Sequence, residues 1–176
     1  CSSDLFVSGR EGRAEGRVIY VRGQVRDSQC RPIPGARVEI WQASARGRYN
    51  HPYDRENPVP LDPNFQGWGE ARTDHDGRYL FKTVHPGQYP AGLGWIRPSH
   101  IHFKILKGNA ELLTTQMYFA GDEYLERDRI FLAVPAAQRE HVIVSPTEPG
   151  KDFDPIAVVY TFNLARSEEH TSELQS

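Results

Sequence analysis

The chain has no run of about 18 apolar residues anywhere in its 176 positions, which excludes a transmembrane helix. Cysteine is nearly absent: Cys1 and Cys30 are the only two. Cys1 sits at the very end of the chain in a stretch with no packing pattern, so a disulfide framework is not expected. Nor is there a surplus of charge of one sign, since 21 Lys and Arg stand against 23 Asp and Glu. That balance argues against nucleic acid or a membrane surface as partner and favours a small molecule or another protein. A secretory leader is missing, and the chain starts at Cys1 without a Met, so an upstream piece is expected to have been lost. The compartment is undetermined, with the cytoplasm as default. The last eleven residues, Arg166 to Ser176 (RSEEHTSELQS), read as the translation of a synthetic adapter oligonucleotide and are set aside, His170 with them. That tail holds one Arg and three Glu, so without it acidic and basic residues are equal in number.

The length suits one domain with a single buried core. From Val18 to Ile40, the runs VIYVRGQV and ARVEIW flank the turn-forming stretch DSQCRPIPG, which reads as two strands and a connection. Val38 and Ile40 alternate with Arg37 and Glu39, the period of a half-buried strand. Residues 44 to 70 hold four Pro and three Gly with little apolar periodicity, and irregular segments of that length are usually functional. In ARTDHDGRYLFKTV, Asp74 to Gly77 supply turn chemistry between strand-like runs, a hairpin signal. A second Gly/Pro-rich loop, HPGQYPAGLGWIRP, leads into the strand-like runs SHIHFKIL and LLTTQMYF. A short helix is expected near Pro135 to His141, and a last strand in IAVVYTFNL. Short strands, Gly/Pro turns and almost no 3.6-residue periodicity together predict an all-β, single-domain β-sandwich with long active loops and little helix.

The sharpest local feature is His100-Ile101-His102. Successive side chains on a strand point to opposite faces, so the two imidazoles share a face while Ile101, Phe103 and Ile105 take the other. Two imidazoles on one face can bind one metal ion, although an isolated His-x-His more often marks a half-polar strand. No Cys or carboxylate cluster accompanies that strand. The two Gly/Pro-rich loops offer tyrosines instead, Tyr49 in RGRYNHP and Tyr89 in PGQYPAG, each of which taken singly reads as an ordinary surface aromatic. His51, His75, His85 and His141 lie in turns or polar stretches and read as solvated or structural.

Four motifs in order carry a resemblance that runs from about Val18 to Leu164: VRGQVRDSQCRPIPGARVEIWQASARGRY, PLDPNFQGWGEARTDHDGRYLFKTVHPGQYP, RPSHIHF and TTQMYFAGD. In these the chain resembles the intradiol ring-cleavage dioxygenases, most nearly the iron-bearing β subunits of the branch that cleaves protocatechuate. The resemblance implies an Fe(III) site with Tyr49 and His100 equatorial, Tyr89 and His102 axial, and a solvent hydroxide as fifth ligand. Two phenolates, hard anionic oxygen donors, suit ferric iron, whereas a His and carboxylate set suits ferrous iron and His, Cys and carboxylate suit zinc.

The implied reaction is intradiol cleavage of a catechol-type ring with O2. Protocatechuate would give 3-carboxy-cis,cis-muconate, a step of aromatic-compound catabolism. Tyr89 would be released to take up a substrate proton. Arg97 matches the arginine that stabilises electron-rich substrate carbon, and Gln116 a position lining the iron pocket. The resemblance further implies a residue 1–17 arm, an 18–165 catalytic domain, and an oligomer, made with a homologous iron-free subunit or of this chain alone. Departures are Cys30 where Gly is common, Ala91 where Trp is expected, and Ile96 before Arg97 with Trp95 one place earlier; the last two imply a reshaped pocket. The competing readings are a transthyretin-like β-sandwich that binds a ligand without catalysis and, more distantly, a zinc hydrolase built on His100 and His102.

Overall fold

The computed structural model describes residues 2–7 and 12–165; the 166–176 tail, Cys1 and His170 lie outside them. The strands are β1 (Ser2–Asp4), β2 (Val18–Arg26), β3 (Arg37–Trp41), β4 (Trp68–Arg72), β5 (Arg78–Val84), β6 (Tyr89–Gly92), β7 (Trp95–Arg97), β8 (His100–Lys107), β9 (Ala110–Phe119), β10 (Ile143–Val144), β11 (Pro146–Thr147), β12 (Val159–Thr161) and β13 (Leu164–Ala165). Among the described residues, one short α-helix, α1 (Arg129–Ala133), completes the regular structure beside three short 3₁₀ segments. One sheet has the order β1-β5-β2-β12-β11, with β13 also on β2, and the other β10-β9-β8-β3-β4; β6 and β7 form a separate ribbon.

The alternation read in the sequence decides which side chains fill the sandwich. Ile19, Val21 and Val25 of β2 and Phe81 of β5 are buried from one sheet. Val38 and Ile40 of β3 and Ile101, Phe103 and Ile105 of β8 are buried from the other, and all belong to a single apolar cluster. Each such side chain stabilises the fold by roughly 1.5–3 kcal/mol relative to exposure. The all-β sandwich follows from this pattern.

Five local expectations are corrected. The Asp74 to Gly77 turn is well formed, with the Asp74 carboxylate accepting from the Asp76 and Arg78 amides at 2.9 and 2.8 Å. Yet β4 and β5 do not make a hairpin: β4 pairs with β3, and β5 with β2 in the opposite sheet. Turn chemistry specifies a reversal but not which sheet the next strand joins. The second Gly/Pro-rich loop contains the β6–β7 ribbon, in which Tyr89 faces Arg97. The last strand is broken into β12 and β13, both parallel to β2, with the buried Phe162 between them. Finally, the first residues do pack: β1 pairs in parallel with β5, and Leu5 is fully buried. The expected helix near Pro135 is a 3₁₀ turn over Ala136–His141.

Candidate metal centre

Strand β8 is held on both sides by antiparallel neighbours, β3 and β9, so its register fixes the direction of every side chain on it. His100 and His102 project from one face, with ring centroids 4.9 Å apart, while Ile101 and Phe103 are fully buried on the other. The His100 ring is oriented by Nδ1, which lies 2.7 Å from the Pro98 carbonyl. As carbonyl oxygens only accept, Nδ1 carries the proton and Nε2 presents its lone pair. His102 is oriented differently: it stacks on Trp41, its cross-strand partner, at 4.8 Å and 7°.

The tyrosines arrive from loops, and backbone contact between the loops places them. Residues 44–48 form a tight turn in which the Ser44 carbonyl accepts from the Gly47 and Gly87 amides at 3.0 and 2.9 Å. Gly47 has φ +75°, and a Cβ there would collide with the Gln88 carbonyl. A Cβ on Gly87 would collide with the Ala45 carbonyl and the Gly47 amide. Two glycines therefore let the loops touch backbone to backbone, one residue or two from each tyrosine. The Asp54 carboxylate then fixes Tyr49 through its amide at 2.7 Å.

The outcome is convergence. The Tyr49 hydroxyl lies 3.4 Å from His100 Nε2 and the Tyr89 hydroxyl 3.5 Å from the same atom. The tyrosine rings meet edge to face at 5.2 Å. Both tyrosine hydroxyls thus lie against His100 Nε2, with the His102 ring centroid 4.9 Å from that of His100. Among the described residues no group of three or more His, Cys, Asp or Glu could hold a metal ion.

Electrostatics define what these four side chains can accept. Burial pushes the Tyr49 hydroxyl well above its ordinary pKa, and the neighbouring Tyr89 adds to this. Burial also raises Tyr89, opposed by the Arg97 guanidinium. Burial, then Arg97 and His102, push His100 well below its ordinary value, and burial with Arg97 lowers His102 to about 3. The imidazoles are therefore neutral donors at pH 7, and the phenols need a strongly charged cation to ionise. Hard oxygen donors that require a high charge fit a trivalent ion and suit zinc poorly.

Arg97 and Gln116 join this face from behind. Arg97 is 4% exposed, and its Nη2 donates to Gln116 Oε1 at 2.6 Å; Gln116 stands opposite His102 on β9. Sequence reasoning missed three residues here. Trp41 supports His102. Tyr118 donates to Gln116 Oε1 at 2.9 Å. Asp128, 0% exposed, pairs with Arg97. A buried Asp just before an apolar run was a readable cap signal, but its pairing with an arginine 31 residues earlier was not. Among the other histidines, His85 packs on Phe119 at 4.2 Å, and His51 caps a 3₁₀ turn. His75 and His141 are exposed. Ala91 and Ile96 are exposed on the ribbon that carries Tyr89.

Residues 2–166 match the family model described as dioxygenase. The protocatechuate 3,4-dioxygenase beta chain of Burkholderia cepacia is 45% identical over 163 residues, covering 88% of this chain and 66% of that protein. A catechol 1,2-dioxygenase of Pseudomonas sp. is 31% identical over 177 residues, covering 92% of this chain and 57% of that one. The solved structure of an intradiol ring-cleavage dioxygenase from Tetranychus urticae superposes with a TM-score of 0.70 at 25% identity, covering 97% of this chain and 88% of that chain. The chain thus spans about two thirds of the first of these curated relatives and somewhat over half of the second.

Proposed function

Because this chain belongs to the intradiol ring-cleavage dioxygenase family, we propose that it opens a catechol-type ring between its two hydroxylated carbons with O2, using a ferric ion held by Tyr49, Tyr89, His100 and His102. The observation that carries this reading is the approach of both tyrosine hydroxyls to within 3.5 Å of His100 Nε2, with the His102 ring beside them. When bound, such an ion supplies a Lewis acid that draws electron density from a catecholate.

The protein residues then have separable tasks. Tyr89, on the ribbon and opposed by Arg97, is the base: its phenolate oxygen takes the proton of an incoming catechol hydroxyl. Tyr49, tied down through its amide, stays in place. Arg97 keeps a fixed positive charge near the ring carbon that O2 attacks, worth a few kcal/mol of barrier lowering at most. Gln116 holds that guanidinium in plane.

The preferred substrate is protocatechuate or another substituted catechol, in line with the relative at 45% identity, and the product is the corresponding cis,cis-muconate with both oxygen atoms of O2. The chain works in an oligomer, with a homologous iron-free subunit or with its own copies. No helix among the described residues is long and apolar enough to cross a membrane.

Loading the purified protein with Fe(III) and measuring oxygen uptake on protocatechuate, catechol, hydroxyquinol and halogenated catechols tests the proposal. A visible tyrosinate charge-transfer band and ring opening are expected. Tyr49→Phe and His102→Ala should bleach the band and reduce turnover more than ~100-fold, the upper range for losing a residue that merely supports a ligand. A colourless, inactive wild type would leave a ligand-binding sandwich as the better reading.

A further inference from the structure

Asp128 is fully buried on a short connection after β9, and four groups converge on it. Its Oδ2 accepts from the Phe131 amide at 2.9 Å, capping α1, and its Oδ1 accepts from Trp95 Nε1 at 3.2 Å. The Tyr118 hydroxyl lies 3.5 Å from Oδ2. Arg97 faces both oxygens, with Nε 2.9 Å from Oδ1 and Nη2 3.4 Å from Oδ2. The Nε–H is not aimed at the carboxylate, so the Nε contact is a close ion pair and not a directed hydrogen bond.

A helix of five residues needs only a neutral cap, and Asn or Ser would serve as well as Asp. A neutral group would, however, leave the guanidinium, whose side chain is 5% exposed, buried without a counter-charge. Gln116 is its other close partner and is uncharged. The carboxylate at this position therefore does more than end a helix.

We propose that Asp128 is a positioning residue that acts through Arg97. It anchors the Nε side of the guanidinium while Gln116 anchors Nη2, so that the positive charge stays seated beside Tyr89 and cannot rotate away. Trp95, bonded to the same carboxylate and lying 5.7 Å from the Arg97 guanidinium carbon, closes the far side. This inference rests on the dioxygenase reading for its kinetic consequence, but the pairing itself does not.

The test is a double-mutant cycle in the iron-loaded protein with protocatechuate as substrate. Asp128→Asn keeps the cap acceptor for Phe131 and removes the charge. It is expected to lower kcat by ~10- to 100-fold, the scale of a small misplacement of a catalytic group, with KM within about threefold and the ferric band unmoved. In an Arg97→Ala background the same substitution should change kcat by less than about twofold. An equal loss of kcat in both backgrounds would show that Asp128 is a helix cap and nothing more, and would overturn the proposal. The same four proteins, unfolded by urea without iron, should show non-additive stabilities; additivity would again reject the pairing. A colourless, inactive wild type would instead defeat the dioxygenase reading, and the unfolding cycle would still decide the Arg97 pairing.

Discussion

The two halves of the proposed metal centre are built by opposite means. His100 and His102 are two positions of one strand whose neighbours are paired along its length, so their spacing is a property of the β backbone. Tyr49 lies in an irregular loop and Tyr89, 40 residues on, opens the β6–β7 ribbon, and nothing local brings them together. They meet because Gly47 and Gly87 remove the two side chains that would hold the loops apart. The strand half is stiff by register, and the loop half is accurate only as long as backbone touches backbone.

Breaking the loop half without touching a donor gives the largest effect. Gly47→Ala puts an L-residue at φ +75° and drives its Cβ into the Gln88 carbonyl, next to Tyr89. A shift of about 1 Å at a reacting group costs roughly 100-fold in rate, so steady-state turnover should fall by about that factor, with a weaker visible band. The matching change on the strand half is Ile105→Val, behind the imidazole face and 1% exposed. It should cost only about 1 kcal/mol in urea unfolding and leave turnover unchanged. Equal kinetic damage from both would erase the distinction.

pH should separate the halves in the metal-free protein. His102, and His100 with it, titrate below 6.5 when folded, so the unfolded chain binds their protons first. The stability they contribute is complete above about 6.5 and is lost as pH falls towards about 3 for His102, on the order of a few kcal/mol. Tyr49 and Tyr89 titrate above 10 when folded, so the unfolded chain ionises first and stability declines as pH rises past 10. Urea midpoints measured across pH should therefore show an acid limb that flattens in His102→Gln and an alkaline limb that flattens in Tyr49→Phe. Limbs that respond to neither substitution would contradict the burial argument.

The smallest effect lies far from both halves, in the turn between β2 and β3. Cys30 occupies the left-handed region at φ 61°, inside a loop organised by the Asp27 carboxylate, which accepts from the Gln29 and Arg31 amides at 2.9 Å. An L-residue there costs roughly 1–2 kcal/mol. Cys30→Gly is expected to stabilise the protein by about 1 kcal/mol with unchanged turnover, as read by thermal melting. A loss of stability would mean that the thiol makes a contact that matters.

How much of this was legible in the chain itself differs between the halves. The alternation Ile101, Phe103, Ile105 against His100, His102 is written in six consecutive residues, and with it the sheet face and the imidazole pair. The tyrosines could be picked out only through a resemblance of ordered motifs, because a Tyr in a Pro-rich loop has no local signature of its own. The Asp74 turn announced a reversal, yet its flanking strands separate into different sheets; sheet membership is a competition among all strands for edges and core space.

The amino-acid order by itself determined the all-β class, the strand faces and the imidazole pair, since each follows from backbone periodicity over a few residues. Only the tertiary structure decided that β4 and β5 part company, that two loops close on each other through Gly47 and Gly87, and that Asp128 reaches back to Arg97. Those arrangements depend on steric contact and charge pairing between segments far apart in the chain, and no window of neighbouring residues contains that information.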